Sequence, residues 1–164
     1  MTATPPKNRF DSPEQEAFLN LWRTYDRLRA LEDELFAHFD LTPQQYNALR
    51  LLKAQHPGTL PTLALADRLV SRAPDITRLL DKLDARGLIC RQRPADNRRI
   101  VRVGITPAGL KLLKEIAGPL RDCHARQLGH LSATELKRLT QLLEAARMPH
   151  EDGGPWSERI RGNP

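Results

Sequence analysis

The segment Arg93–Thr106 reads Arg-Pro-Ala-Asp-Asn-Arg-Arg-Ile-Val-Arg-Val-Gly-Ile-Thr. It holds four arginines, Arg93, Arg98, Arg99 and Arg102, around a single acid, Asp96. Charge at this density has two readings. A turn can carry it as a solvated surface, or it can face a polyanion. The run Ile100–Ile105 that follows is β-like, so the arginines sit on a turn beside a strand.

The rest of the charge favours the second reading. The chain has 164 residues and a net charge of +6. From Ser71 to Ile105 it carries nine basic and four acidic residues, while the other 129 residues are within one charge of neutral. A basic block in a near-neutral chain is the electrostatic footprint of a polyanion partner.

Composition excludes several classes. Hydrophobic residues make up 40% of the chain and aromatics 5%, which describes a Leu- and Ala-rich core suited to helices. No apolar run is long enough to span a membrane, and Met1–Phe10 has no signal-peptide core. A cytoplasmic protein is expected. Cys90 and Cys123 are too few for a disulfide framework. The histidines at 38, 56, 124, 130 and 150 form no His-x-x-x-His pair, so no metal site is expected. No phosphate-binding glycine loop, Gly-x-Ser-x-Gly or His-Glu-x-x-His is present, so neither catalysis nor a cofactor is expected.

The elements that must position the arginines are legible from caps and leucine spacing. Ser12-Pro13-Glu14-Gln15 starts a helix that runs to about Phe39, roughly 40 Å long. Its apolar positions are Phe18, Leu21, Trp22, Tyr25, Leu28, Leu35 and Phe39. Thr42-Pro43-Gln44-Gln45 caps a second helix, closed by Pro57-Gly58. A short helix over Thr62–Val70 should turn Leu63, Ala66 and Leu69 inward. Another, Ala73–Arg86, carries Ile76, Leu79, Leu80 and Leu83 on one face and ends at Gly87. Leu88–Arg93 and Ile100–Ile105 then form a hairpin whose tip holds the arginines. Thr106-Pro107 opens a helix that Gly118-Pro119 should kink or interrupt. Ser132–Glu135 caps a last one.

Three helices and a hairpin in this order make a winged helix-turn-helix. The fold class is therefore mainly α with a small β-hairpin wing. In that motif the second helix of the turn enters the major groove. Here it presents Asp75, Thr77, Arg78 and Lys82 outward. Asp75 would repel phosphate, so a role at the helix N-terminus, or in orienting Arg72 or Arg78, suits it better than base contact. Arg91 and Arg102 lie within the strands and can serve the hairpin alone. Cys90 reads as a small packing residue, and Trp22, Tyr25 and Tyr46 as core, with an effector pocket as the other reading.

The stretch Ile76–Ile89 ("ITRLLDKLDARGLI"), the wing Asp96-x-Arg98 and Ile105–Gly109 ("ITPAG") together resemble the multiple-antibiotic-resistance-regulator (MarR) family of winged-helix transcription factors. The resemblance covers about Trp22 to Ala146. It implies a homodimer, with first and last helices interlocked, that reads a pseudo-palindromic double-stranded DNA operator, commonly as a repressor. It further implies that Ser71, Arg72, Asp75, Thr77 and Arg78 lie at the recognition end. Asp96 would brace the wing by pairing with an arginine, Arg98 would enter the minor groove, and Arg99 would contact phosphate or the groove edge. Many members respond to a small aromatic effector held between the dimerisation and DNA-binding regions. The oxidant-sensing members carry a cysteine in the first helix, where this chain has none.

A dimer has an independent reason. An amphipathic first helix and two leucine-rich terminal helices cannot all bury their stripes on so small a core, and a second copy would cover them. The expected organisation is an arm over 1–11, a dimerisation helix over 12–40, the DNA-binding domain over 41–105, dimerisation helices over 106–147 and a tail over 148–164. The competing reading is a winged-helix protein-interaction module that docks its basic face on an acidic protein, without sequence-specific DNA binding.

Overall fold

The computed structural model describes residues 10–71 and 75–151. Within them the chain runs α1 (Pro13–Ala37), α2 (Pro43–Gln55), β1 (Leu60–Pro61), α3 (Thr62–Arg68), α4 (Ile76–Ala85), β2 (Ile89–Gln92), β3 (Arg102–Ile105), α5 (Pro107–Leu128) and α6 (Ala133–Arg147). Most of the expected arm, most of the tail, and residues 72–74 with Arg72 lie outside the described residues.

Helix starts follow the caps. Ser12 accepts the Gln15 N–H at 3.1 Å, though the Gln15 side chain reaches back to the N–H of Asp11 rather than of Ser12. Thr42 and Gln45 form a reciprocal box, at 3.1 and 2.9 Å, and Ser132 with Glu135 forms another. The α4 helix is shorter than expected: Asp75 caps it by accepting the Arg78 N–H at 2.9 Å, and Ile76 is its first residue.

The hairpin gains a third strand. The sheet order is β1-β3-β2, all antiparallel, with Leu60 opposite Val103 and Ile89 opposite Ile105. One face of this sheet meets the leucines of α2, α3 and α4. Leu49, Leu52, Leu65, Leu80, Leu83 and Val103 are fully buried.

Two sequence expectations change here. Leu65 and Leu69, one helical turn apart, are the inward residues of α3, while Leu63 is 77% exposed. Two residues along a helix turn the side chain by about 200°, so Leu63 and Leu65 cannot share a face. The α5 helix runs through Gly118-Pro119 without interruption. A residue before proline is disfavoured in helical conformation by the ring's clash with its N–H and its Cβ. Gly118 has no Cβ, and burial of Ile116, Leu120 and Cys123 holds both halves of α5 to the core.

The start of α5 is a tight junction. Thr106 caps the helix and its hydroxyl donates to the Gly87 carbonyl at 2.6 Å, while its N–H donates to Leu88 at 3.1 Å. Gly87 has φ +65°, the left-handed conformation that ends α4. A Cβ on Gly109 would lie 2.3 Å from the Leu88 carbonyl oxygen and 2.7 Å from Ile105 Cγ1.

Packing elsewhere is one-sided. The C-terminal half of α1 is held to α5 by Gln127 Nε2, which donates to the Leu28 carbonyl at 2.8 Å, and by His124 and Glu32 at 3.3 Å. Its N-terminal half leaves Phe18, Leu21, Trp22 and Tyr25 exposed, so Trp22 and Tyr25 are neither core nor pocket lining shared with the DNA-binding lobe within one chain. Tyr46 does join the interior, stacked on Phe36 at 4.7 Å between ring centroids, and burial pushes its hydroxyl pKa up. No residue of α6 is buried, and Leu142 is 60% exposed.

The Gly109 contact yields a direct test. Gly109→Ala should destabilise the fold by about 2 kcal/mol or more, because carbonyl and strand must both retreat. Urea denaturation of the variant against the parent checks it. An unchanged midpoint would mean that α5 is free to shift away from the sheet.

Candidate nucleic-acid interface

The recognition helix owes its orientation to its apolar stripe. Leu79, Leu80 and Leu83 are buried, which turns Thr77, Arg78, Asp81 and Lys82 to solvent. Its N-terminus is already occupied, because the Asp75 carboxylate takes one of the free N–H groups of the first turn. The structural role foreseen for Asp75 is thus present.

The wing is the turn between β2 and β3. Asn97 N–H donates to Pro94 at 3.2 Å, Ile100 N–H donates to Asn97, and the Asn97 side chain accepts the Arg99 N–H at 3.2 Å. Arg93 Nη1 donates across the turn to the Arg98 carbonyl at 3.1 Å. Asp96 forms no ion pair with an arginine among the described residues, so the expected brace is supplied by Arg93 and Asn97 instead. Backbone carbonyls and an Asx turn hold the loop without a charge pair.

The basic block divides into two sets. Arg91 donates to Asp81 at 2.6 Å and lies 3.7 Å from Asp84, tying β2 to α4 and offsetting part of the negative charge of the recognition helix. An exposed pair of this kind adds little stability; its effect is on position and local charge. Arg102 donates to the Thr59 hydroxyl at 2.8 Å and to its carbonyl at 2.7 Å, fixing β3 beside β1. Arg86 donates to the carbonyls of Phe39 and Asp40 at the end of α1. These three arginines, like Arg93 in the wing turn, are engaged within the protein. The side chains of Arg78, Lys82, Arg98 and Arg99 are exposed and have no such partner among the described residues.

The two exposed groups adjoin. Thr77 and Leu80 of α4, Arg91, Arg93 and Arg99 of the wing, and Leu63 line one depression of about 430 Å³. Thr77 and Arg99 therefore border the same surface. Ser71 lies at the start of the turn, where Gln44 Nε2 approaches its hydroxyl at 3.5 Å, and Asn47 Oδ1 accepts the Val70 N–H at 3.0 Å. Gln44 and Asn47 were not foreseen. They carry no charge signal, and only the approach of α2 to the turn reveals them. Arg72 lies outside the described residues.

The cysteines stand apart from this surface. Cys90 is half-buried on β2, beside Gly104 of β3. Cys123 is buried in α5, and burial together with Glu32 raises its thiol pKa, which disfavours a reactive thiolate. Among the described residues no cluster of metal-ligating side chains occurs, and no helix is long and apolar enough to cross a membrane.

Comparison with known proteins gives this arrangement its family. The model of the MarR family matches residues 41–101, the helix-turn-helix and most of the wing. A MarR transcription factor from Planctomyces limnophilus, known from a crystal structure, is 59% identical; the match covers 84% of this chain and 99% of that one, with a TM-score of 0.67. A mutant MarR from E. coli complexed with operator DNA shares the fold at 20% identity, covering 85% and 99% of the two chains, with a TM-score of 0.73. So does Bordetella bronchiseptica BpsR, whose DNA binding is regulated by 6-hydroxynicotinic acid, at 23% identity, 80% and 98% coverage and a TM-score of 0.71. With a relative this similar over nearly its whole length, and with its own helix-turn-helix and wing in the matched region, the chain belongs to the MarR family and is a transcription regulator rather than an enzyme.

Proposed function

We propose that the protein is a homodimeric, operator-binding repressor that reads a pseudo-palindrome with α4 and grips the flanking backbone with the wing. The observation that carries this reading is the division of the basic block. After Arg86, Arg91, Arg93 and Arg102 are engaged within the fold, the cations left over among the described residues of the block, Arg78, Lys82, Arg98 and Arg99, lie on α4 and the wing. Those are the two elements that a winged helix-turn-helix offers to DNA. In this reading Ser71, Arg72, Thr77 and Arg78 face base edges and phosphates at the recognition end, and Lys82 neutralises phosphate. Arg93 and Asn97 hold the wing turn, Arg98 enters the minor groove, and Arg99 contacts its edge.

The dimer rests on the exposed apolar faces. Phe18, Trp22 and Tyr25, at helical spacing on α1, and Leu142 on α6 are all more than half exposed, and large apolar side chains grouped on one helix mark a face that a partner covers. A second copy pairing through residues 12–40 and 106–147 covers it. An effector site fits the cavity of about 430 Å³ between α1 and α5, lined by Leu35, His38, Phe39, Pro119, Cys123 and Arg126. Glu34 and Asp122 also line it, so an aromatic acid would seat its ring on the apolar wall with its carboxylate toward Arg126 and away from those two acids. BpsR, which shares the fold, has its DNA binding regulated by 6-hydroxynicotinic acid.

Three outcomes follow. Arg98→Ala should weaken operator binding by about 1–3 kcal/mol and reduce the salt slope by about one, with the fold intact. Unchanged affinity in a salt titration removes the wing from the interface. Trp22→Glu should convert the protein to monomer in analytical ultracentrifugation; a persistent dimer would place the interface elsewhere. At least one compound of an aromatic-acid panel should shift both melting temperature and operator affinity, and a panel that shifts neither removes the effector from the account.

A further inference from the structure

Arg86 belongs to the basic block by sequence but not by contact. It is the C-terminal cap of α4, and its guanidinium reaches back to the end of α1, where it donates to the Asp40 carbonyl through Nη1 and to the Phe39 carbonyl through Nη2 at 3.1 Å. The chain there has just left the helix. Phe39 and Asp40 donate their N–H groups back to Phe36 and Ala37, and Asp40 has φ +51°. Carbonyls at a helix C-terminus lack partners within the helix and sit at the negative end of its dipole, so a forked cation is a fitting cap.

We propose that Arg86 is a positioning residue for DNA recognition, a clamp that sets the direction of α4 relative to α1 without touching DNA. The inference rests on the operator-binding dimer proposed above. The α4 helix is about 15 Å long, so a tilt of about 10° at its C-terminal end moves its DNA-reading end by about 2.6 Å. Three attachments hold that end. Thr106 fixes Gly87 to α5, Arg91 fixes Asp81 and Asp84 to the wing, and Arg86 fixes α4 to α1. The Arg91 pair moves with α4, and the Thr106 bond sits at the pivot itself, where Gly87 meets the start of α5; Arg86 is the attachment that reaches the end of α1. Arg86 reaches the helix whose exposed apolar face forms the dimer in the reading above, so it ties the recognition helix to the distance between half-sites. Phe39, whose carbonyl it holds, also lines the cavity between α1 and α5. A molecule seated there would bear on the same clamp.

The test uses the full-length protein and operators selected by the parent protein, with the half-site spacing kept or changed by one base pair. Arg86→Ala should lower affinity for the selected operator about tenfold and largely abolish discrimination between spacings. Its salt slope should stay that of the parent, because no phosphate contact is lost. Arg78→Ala, an exposed cation of the reading face, should instead lower the slope by about one and keep spacing discrimination. A lowered slope in Arg86→Ala would make Arg86 a phosphate contact and overturn the proposal, as would unchanged affinity with unchanged discrimination. Should Arg86→Ala not fold, Arg86→Lys, which keeps the charge and loses the fork, carries the same readouts. If the parent selects no operator, the function reading fails, and backbone hydrogen exchange decides the clamp separately. Exchange of Leu41 and the last turn of α4 should quicken in the variant relative to α2, and equal protection would overturn it.

Discussion

Every group in this chain that faces DNA in the proposed reading depends on the approach of α5 to the backbone of Leu88. There is no room for a side chain at Gly109, and Thr106 closes the same corner with two hydrogen bonds to Gly87 and Leu88. The end of the recognition helix, the first wing strand and the start of α5 are thereby one joint. The stripe of Leu79, Leu80 and Leu83 then needs only to bury itself for Arg78 and Lys82 to face outward. Recognition geometry is set by apolar burial and a glycine contact, and the charges ride on that frame.

Charge counting and charge placement diverge here. The block from Ser71 to Ile105 announces a polyanion partner, yet Arg86, Arg91 and Arg102 are engaged with protein carbonyls, a hydroxyl and carboxylates. By offsetting one of the two charges of Asp81 and Asp84, Arg91 still serves the interface: it reduces repulsion from α4 and couples the wing to that helix. The structural arginines position the exposed ones.

Features legible in the sequence were those with local causes. The boxes at Thr42 and Ser132, the stop at Gly87 and the leucine spacing of α4 involve partners three or four residues away. The hairpin tip was legible for the same reason. Features missed have distant partners. Strand β1 is two residues long and exists because Leu60 meets Val103. The short α3 offered too few turns to choose between Leu63 and Leu65. Gln44 and Asn47 became visible only when α2 was seen to approach the turn. The expected interruption at Pro119 does not occur: Gly118 lacks the Cβ that a proline ring would meet, and burial on both sides holds α5 as one continuous helix. For the site, the wing and the outward face of α4 were readable, whereas the division of arginines into engaged and exposed was not.

The central claim is that the exposed cations of α4 and the wing read a defined DNA sequence as a pair of half-sites. The most direct measurement is selection of the full-length protein on random duplex DNA, followed by a salt titration on the recovered sequence. The account predicts a pseudo-palindrome with half-site centres about 34 Å apart, one helical turn, and affinity that falls steeply with salt. Salt-sensitive retention of DNA with no enriched sequence would contradict it, and would leave the basic face as a docking surface for another polyanion.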